Sequence, residues 1–229
     1  MPKREDPLIT GKIYHVFNKT LDGKKIFEDD RNKLHFIELV KYYRSAKARI
    51  SYSRLKDLSD KVREETIMKT LFAKYFRVEI FGYCLMPTHF HFLLMQKLKK
   101  GTERFIADIT NALTRYFNLK SERKGPIFLS TFKAVSIKSN EQFIHVSRYI
   151  HLNPYSSEIV NSYEKLAEYP WSSYREYLHN LGNGICNQGR IMNHFKTRER
   201  YKKFIEDNAD YQRKLEYIKH IKDWRIGNT

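Results

Sequence analysis

An α+β domain is the fold class the sequence predicts, and three observations predict it. Residues 77–86 and 88–95 are rich in strand formers and are separated by Pro87, which interrupts a strand and enters turns, so they read as an antiparallel pair. Two amphipathic helices accompany the pair. One is capped by Asp29 or Asp30 and carries Phe36, Ile37, Val40 and Tyr43 at helical spacing, and one is capped by Thr102 and carries Phe105, Ile109, Ala112 or Leu113, and Tyr116. Finally, Ser139-Asn140-Glu141-Gln142 has the Ser-x-x-Gln form of a capping box and opens a third helix with Phe143, Val146 and Ile150 on its apolar side.

The remaining segments follow in order. Residues 11–18 mix apolar and polar positions in the manner of a first strand, and 51–74 is a charged, helix-permissive stretch that reads as a peripheral helical insertion. Lys97 to Gly101 is a basic turn, Gly125-Pro126 closes the second helical unit, and Phe128 to Ile137 reads as another strand. The helix opened by Ser139 is expected to stop at Asn153, because Pro154 disfavours helical backbone in the residue before it. A loop-like stretch with Gly182, Gly184 and Gly189 leads to a helical tail in which Lys and Arg outnumber acidic residues. These readings divide the chain into a domain over 1–178 and a basic helical C-terminal appendage over 179–229.

Charge narrows the function classes. The 229 residues include 43 Lys and Arg against 26 Asp and Glu, a formal net charge of +17, which suits a polyphosphate partner because each neutralised phosphate releases counterions. An anionic membrane fits less well, since the lysines lie in mixed-charge segments without a basic amphipathic helix. No apolar run approaches the ~20 residues that span a bilayer, and Met-Pro-Lys-Arg-Glu-Asp lacks the apolar core of a leader. A cytoplasmic protein is expected. Cys84 and Cys186 have no metal or disulfide spacing and read as reduced thiols.

The chemistry centres on Tyr83 to Met95. On a strand, His89 and His91 point to one face while Phe90 and Phe92 point to the other, a disposition that serves either a structural pair or a two-pronged metal grip. Tyr149 and Asn153, four residues apart on the later helix, lie roughly 40° apart around its axis and share a face. His151 falls on the other side. Two imidazoles and the Asn153 carbonyl oxygen leave positions open for water and phosphate on Mg²⁺ or Mn²⁺, and Tyr149 is then placed to attack a DNA phosphodiester.

Four linked motifs carry a resemblance. Tyr-Cys-Leu-Met-Pro-Thr-His-Phe-His-Phe-Leu-Leu, Gly125-Pro-Ile-Phe128 followed by Phe132-Lys133, Arg148-Tyr-Ile-His-Leu-Asn-Pro154 and Tyr169-Pro-Trp-Ser-Ser-Tyr174 occur in an order and spacing similar to the single-tyrosine HUH transposases. The match is to the IS200-like family, in the branch associated with repetitive extragenic palindromes, and covers roughly residues 10–178. The resemblance implies a ferredoxin-like antiparallel sheet with helices on one face. It implies a single-stranded DNA endonuclease and strand transferase that cuts beside hairpins, leaving a 5′-phosphotyrosyl enzyme and a free 3′-OH that later rejoins strands. By motif, the metal histidines are His89 and His91, the amide ligand Asn153 and the nucleophile Tyr149.

Three features depart from that pattern. Thr88 stands where this branch commonly has Asn, and the insertion at 51–74 and the tail after 178 lie outside it. Tyr116 is a competing nucleophile, though it shares an apolar helix side with Phe105 and Ile109. Lys97, Lys99, Lys100, Lys133, Lys138 and Arg148 are the expected DNA-backbone contacts. The alternative reading is a non-catalytic DNA-hairpin-binding protein on the same fold. A histidine-triad hydrolase would need a third histidine where the chain has Leu93, and a replication initiator would usually bring longer additional segments. A monomer is expected, with a dimer as the alternative.

Overall fold

The computed structural model describes residues 7–179 and 184–214. In chain order the regular elements are β1 (Ile13–Lys19), α1 (Asp30–Tyr43), α2 (Asp60–Leu71), β2 (Val78–Met86), β3 (His89–Gln96), α3 (Gly101–Lys120), β4 (Lys133–Ser136), α4 (Asn140–Ser156), α5 (Tyr174–Leu178), α6 (Gly189–Met192) and α7 (Arg198–Glu206). The sheet order is β2-β3-β1-β4, with β1 antiparallel to both β3 and β4. With α1 and α3 as the two crossover helices, this is the βαββαβ ferredoxin-like arrangement.

Two compact units share the chain. Among the described residues, the first comprises 7–80 and 87–137, and the second 81–86, 138–179 and 184–214. The boundary read from sequence at 178/179 divides the chain by order, whereas these units group residues by packing.

In the first unit the alternation of β1 and β3 sets up two faces. Phe90 and Phe92 are fully buried against Phe36 of α1, and Phe92 also meets Phe105 of α3. This aromatic layer carries the helices on one face of the sheet, as predicted for α1 and α3, and leaves the His89 and His91 face on the other side. Asp29 caps α1 by accepting from the Arg31 backbone N–H. The start of α3 differs from expectation. Lys100, with φ of 57°, is the N-cap, the Gln96 side chain accepts from the Thr102 backbone N–H at 3.1 Å, and the buried Thr102 hydroxyl has no hydrogen-bond partner among the described residues. Gly101 sits so close to the Arg77 carbonyl that a Cβ would collide with that oxygen.

The insertion is helical: a 3₁₀ turn over Tyr52–Asp57 followed by α2. With α1 and α3 it walls a cavity of about 520 Å³. The predicted strand over 128–137 is shorter than its sequence suggested. Only Lys133–Ser136 pairs as β4, while Phe128 makes a single bridge to Thr20.

The second unit is built around α4. Ser139 caps it by accepting from the Gln142 backbone N–H at 3.0 Å, and the Gln142 side chain accepts from the Lys138 backbone N–H at 2.7 Å. The expected stop at Asn153 is not observed, because α4 continues through Pro154 to Ser156. Proline lacks the N–H that would bond the Ile150 carbonyl, and its ring crowds that carbonyl. The last turn is held by other donors: Ser156 Oγ to the Leu152 carbonyl at 3.1 Å and the Ser157 N–H to the Asn153 carbonyl at 3.0 Å. The segment Trp171–Ser173 runs along Tyr83–Leu85, with the Leu85 N–H donating to the Trp171 carbonyl and the Ser173 N–H to the Tyr83 carbonyl. Cys84 is buried and Cys186 half-buried, and neither forms a disulfide among the described residues. Among the described residues no helix is long and apolar enough to cross a membrane.

Candidate active site

Antiparallel register decides which side chains share the histidine face of the first unit. Across the β1–β3 ladder, His89 faces Lys19, His91 faces Phe17 and Leu93 faces His15. Across β1–β4, Phe17 faces Lys133 and His15 faces Val135. Directly opposed residues in a ladder project to the same side, so His15, Phe17, Lys19, His89, His91 and Lys133 belong to one surface. Lys19 and Lys133 are exposed there.

The paired imidazoles lie together as their spacing predicts, with ring centroids 5.0 Å apart and planes at 80°. Each has its Nδ1 engaged. His91 Nδ1 lies 2.9 Å from Nε2 of His15, and His89 Nδ1 lies 3.0 Å from Oγ1 of Thr88. The His15 and His91 rings lie nearly parallel with centroids 5.1 Å apart, and Phe17 touches both. Burial lowers the His15 pKa to about 4, which keeps that ring neutral at neutral pH. His91 is buried and His89 half-buried.

The parts read from the later motif lie in the second unit. Asn153 is 3% exposed, and its carboxamide nitrogen has no hydrogen-bond partner among the described residues. Because the two ends of an amide are interchangeable in shape, turning the group over sets the carbonyl oxygen, a suitable donor for a hard cation, in that position. Tyr149 is half-buried on the same helix, and its backbone carbonyl accepts from Gln212 Nε2 at 3.1 Å. His151 is fully buried. Its Nε2 lies 2.8 Å from Ser173 Oγ and its Nδ1 2.8 Å from the Tyr201 hydroxyl, so it joins the Arg148–Pro154 motif to the Tyr169–Tyr174 motif and to α7.

Among the described residues no group of three or more His, Cys, Asp and Glu side chains is disposed to hold a metal ion. Imidazole nitrogens, such as the two on the histidine strand, are nevertheless donors that Mn²⁺ accepts.

The predicted DNA-contact residues separate into kinds. Lys99, Lys100, Lys133 and Lys138 are exposed, and Lys97 is half-buried with Nζ donating to the Ala73 carbonyl at 3.3 Å. Arg148 is turned to structural use, donating to the Phe204 carbonyl at 3.2 Å with its guanidinium 4.3 Å from the Phe204 ring centroid. Tyr116 packs on His35 in the helical layer with ring centroids 4.2 Å apart, whereas the histidine pair occupies the opposite side of the sheet. His15 and Lys19 escaped the sequence reading. Their signal was present in strand parity, since both alternate with buried Tyr14, Val16 and Asn18, but the register with β3 is a long-range property.

Fold and surface define an α+β scaffold that presents two imidazoles side by side on a central strand. Residues 29–153, more than half of the chain, match the family described as "Transposase IS200 like", and the chain belongs to that family. Among solved structures, a REP-associated tyrosine transposase bound to a REP hairpin is similar, with a TM-score of 0.51 and 16% identity over 81% of this chain and 88% of that one. At that identity the likeness is one of fold. No curated protein matches the chain.

Proposed function

We propose that this protein is a divalent-metal-dependent endonuclease and strand transferase acting on single-stranded DNA beside hairpins, with Tyr149 as nucleophile. The observation that carries the reading is the His89–His91 pair, two rings on one strand face with each Nδ1 engaged by a neighbouring side chain, in a chain that belongs to the IS200-like family. The solved transposase of the same fold is bound to a DNA hairpin, which supports a hairpin as the partner here. The cytoplasm is the compartment in which such a protein meets its DNA.

His89 and His91 would hold Mg²⁺ or Mn²⁺ with Asn153 as a further ligand. When bound, the cation polarises a non-bridging phosphate oxygen and offsets charge in the transition state. The Tyr149 phenol oxygen attacks phosphorus as its proton passes to solvent, forming the O–P bond while the bond from phosphorus to the 3′ oxygen breaks. The departing 3′ oxygen takes up a proton, and the 5′ phosphate stays on Tyr149. In rejoining, a 3′-OH attacks the phosphotyrosine and the phenol is released. Exposed Lys19 and Lys133 lie on the face that carries the histidines and supply positive charge to a phosphate backbone there.

Incubating the protein with hairpin-bearing single strands and Mn²⁺ tests this reading. A covalent protein–DNA species on a denaturing gel, absent with chelator and in His89→Ala and His91→Ala, is the expected result. Salt-sensitive hairpin binding without cleavage under any divalent metal would instead establish a non-catalytic binder.

A further inference from the structure

We propose that His15 and Thr88 are positioning residues that fix the tautomers of the paired histidines, so that both His91 and His89 present Nε2 to a divalent cation. The inference rests on the metal-binding reading given above, and it is carried by geometry within the first unit alone.

A neutral imidazole has one N–H and one lone pair. To bind a cation through Nε2 the ring must carry its proton on Nδ1, which is the less favoured tautomer of a free histidine side chain. Some acceptor must therefore hold the Nδ1 proton. Both rings have a side-chain partner in that place: Oγ1 of Thr88 at 3.0 Å from His89 Nδ1 and Nε2 of His15 at 2.9 Å from His91 Nδ1.

Neither partner is placed by accident of a mobile surface. The Thr88 carbonyl accepts from the Thr20 N–H at 2.8 Å and from Thr20 Oγ1 at 3.0 Å, which ties the turn before β3 to the end of β1. His15 faces Leu93 across the ladder and reaches diagonally to His91, and the two rings meet nearly parallel, at an interplanar angle of 21°, with Phe17 against both.

The His15 contact makes the sharper claim. If His15 carries its proton on Nδ1, its Nε2 accepts from His91 Nδ1–H, and His91 has a lone pair at Nε2. The reverse tautomer would have His15 donate to His91 Nδ1, leaving Nε2–H on His91 and nothing for a cation. Metal binding through His91 therefore requires His15 to act as an acceptor. A phenylalanine there fills the same space without that capacity, whereas glutamine retains an oxygen that can accept.

The test uses the full-length chain and two readouts. Long-range ¹H–¹⁵N NMR of the metal-free protein reads the tautomers, and Mn²⁺ titration followed by electron paramagnetic resonance reads affinity. Wild-type His89 and His91 are expected as Nδ1–H tautomers. In His15→Phe, His91 should relax toward Nε2–H and Mn²⁺ affinity should fall about 10- to 100-fold, whereas His15→Gln should keep most of it. Thr88→Val should shift His89 in the same way. A wild-type His91 carrying its proton on Nε2 would overturn the proposal, as would a folded His15→Phe with unchanged tautomer and affinity. Should wild type bind no Mn²⁺, the metal reading fails by itself, while the tautomers measured without metal still decide the roles of His15 and Thr88.

Discussion

The hydroxyl of Tyr201 lies 2.8 Å from Nδ1 of His151, a contact that ties α7 to the helix bearing Tyr149. Ser173 Oγ donates to the Tyr83 carbonyl at 3.2 Å and so accepts from His151 Nε2–H at 2.8 Å. It follows that His151 is neutral with its proton on Nε2, and that Tyr201 donates to Nδ1. Tyr201→Phe leaves a buried acceptor unsatisfied and should cost about 1–3 kcal/mol in urea unfolding. Tyr155, which donates to Asp210 at 2.7 Å, and Gln212, which donates to the Tyr149 carbonyl at 3.1 Å, extend the same strap along α4.

Acid should weaken the fold through this network. Burial lowers the His151 pKa to about 3, against a reference of 6.5 that applies in the unfolded chain. Between those values the unfolded state binds a proton and the folded state does not, so the stability contributed by neutral His151 is complete above about pH 6.5 and is lost as pH falls toward 3. By pH 5 the loss is about 2 kcal/mol for this group. Urea midpoints across pH 7.5 to 4.5 check it, with His151→Gln expected to flatten the slope.

Gly101→Ala should destabilise the first unit. The added methyl meets the Arg77 backbone carbonyl, which cannot rotate aside, and forcing backbone apart at a packed position costs about 1–3 kcal/mol. Thermal unfolding of the variant measures it.

Binding of hairpin DNA should show the charge of the histidine face. Lys19→Ala and Lys133→Ala should each weaken affinity and lower the slope of log K against log salt by about 1. Arg148→Ala should instead act mainly through stability, since its guanidinium is spent on Phe204.

What could be read in advance follows from the range of the interactions involved. The alternation of His89, Phe90, His91 and Phe92 is local, and it placed the imidazoles on one face and the aromatic core on the other. The Ser139 cap and the shared face of Tyr149 and Asn153 are local too. Misreadings arose where a distant group supplied what the local rule lacked. Pro154 sits in the last turn of α4, where the Leu152 and Asn153 carbonyls still find donors in Ser156 and Ser157. The Gln96 side chain, from the preceding strand, bonds the N-terminal turn of α3, and Thr102 is left inside the helix. His15 went unnoticed because its partner is His91, 76 residues away. How the tail packs could not be read in advance, because the partners of Tyr201 and Gln212 lie on a helix some fifty residues earlier.

Mass spectrometry of the proteolysed enzyme after incubation with hairpin-bearing single strands and Mn²⁺ tests the central claim most directly. The account predicts one nucleotide-modified peptide with the 5′ phosphate on Tyr149, lost in Tyr149→Phe. A phosphotyrosyl peptide mapping to Tyr116 or elsewhere, or an adduct that persists in Tyr149→Phe, would contradict it.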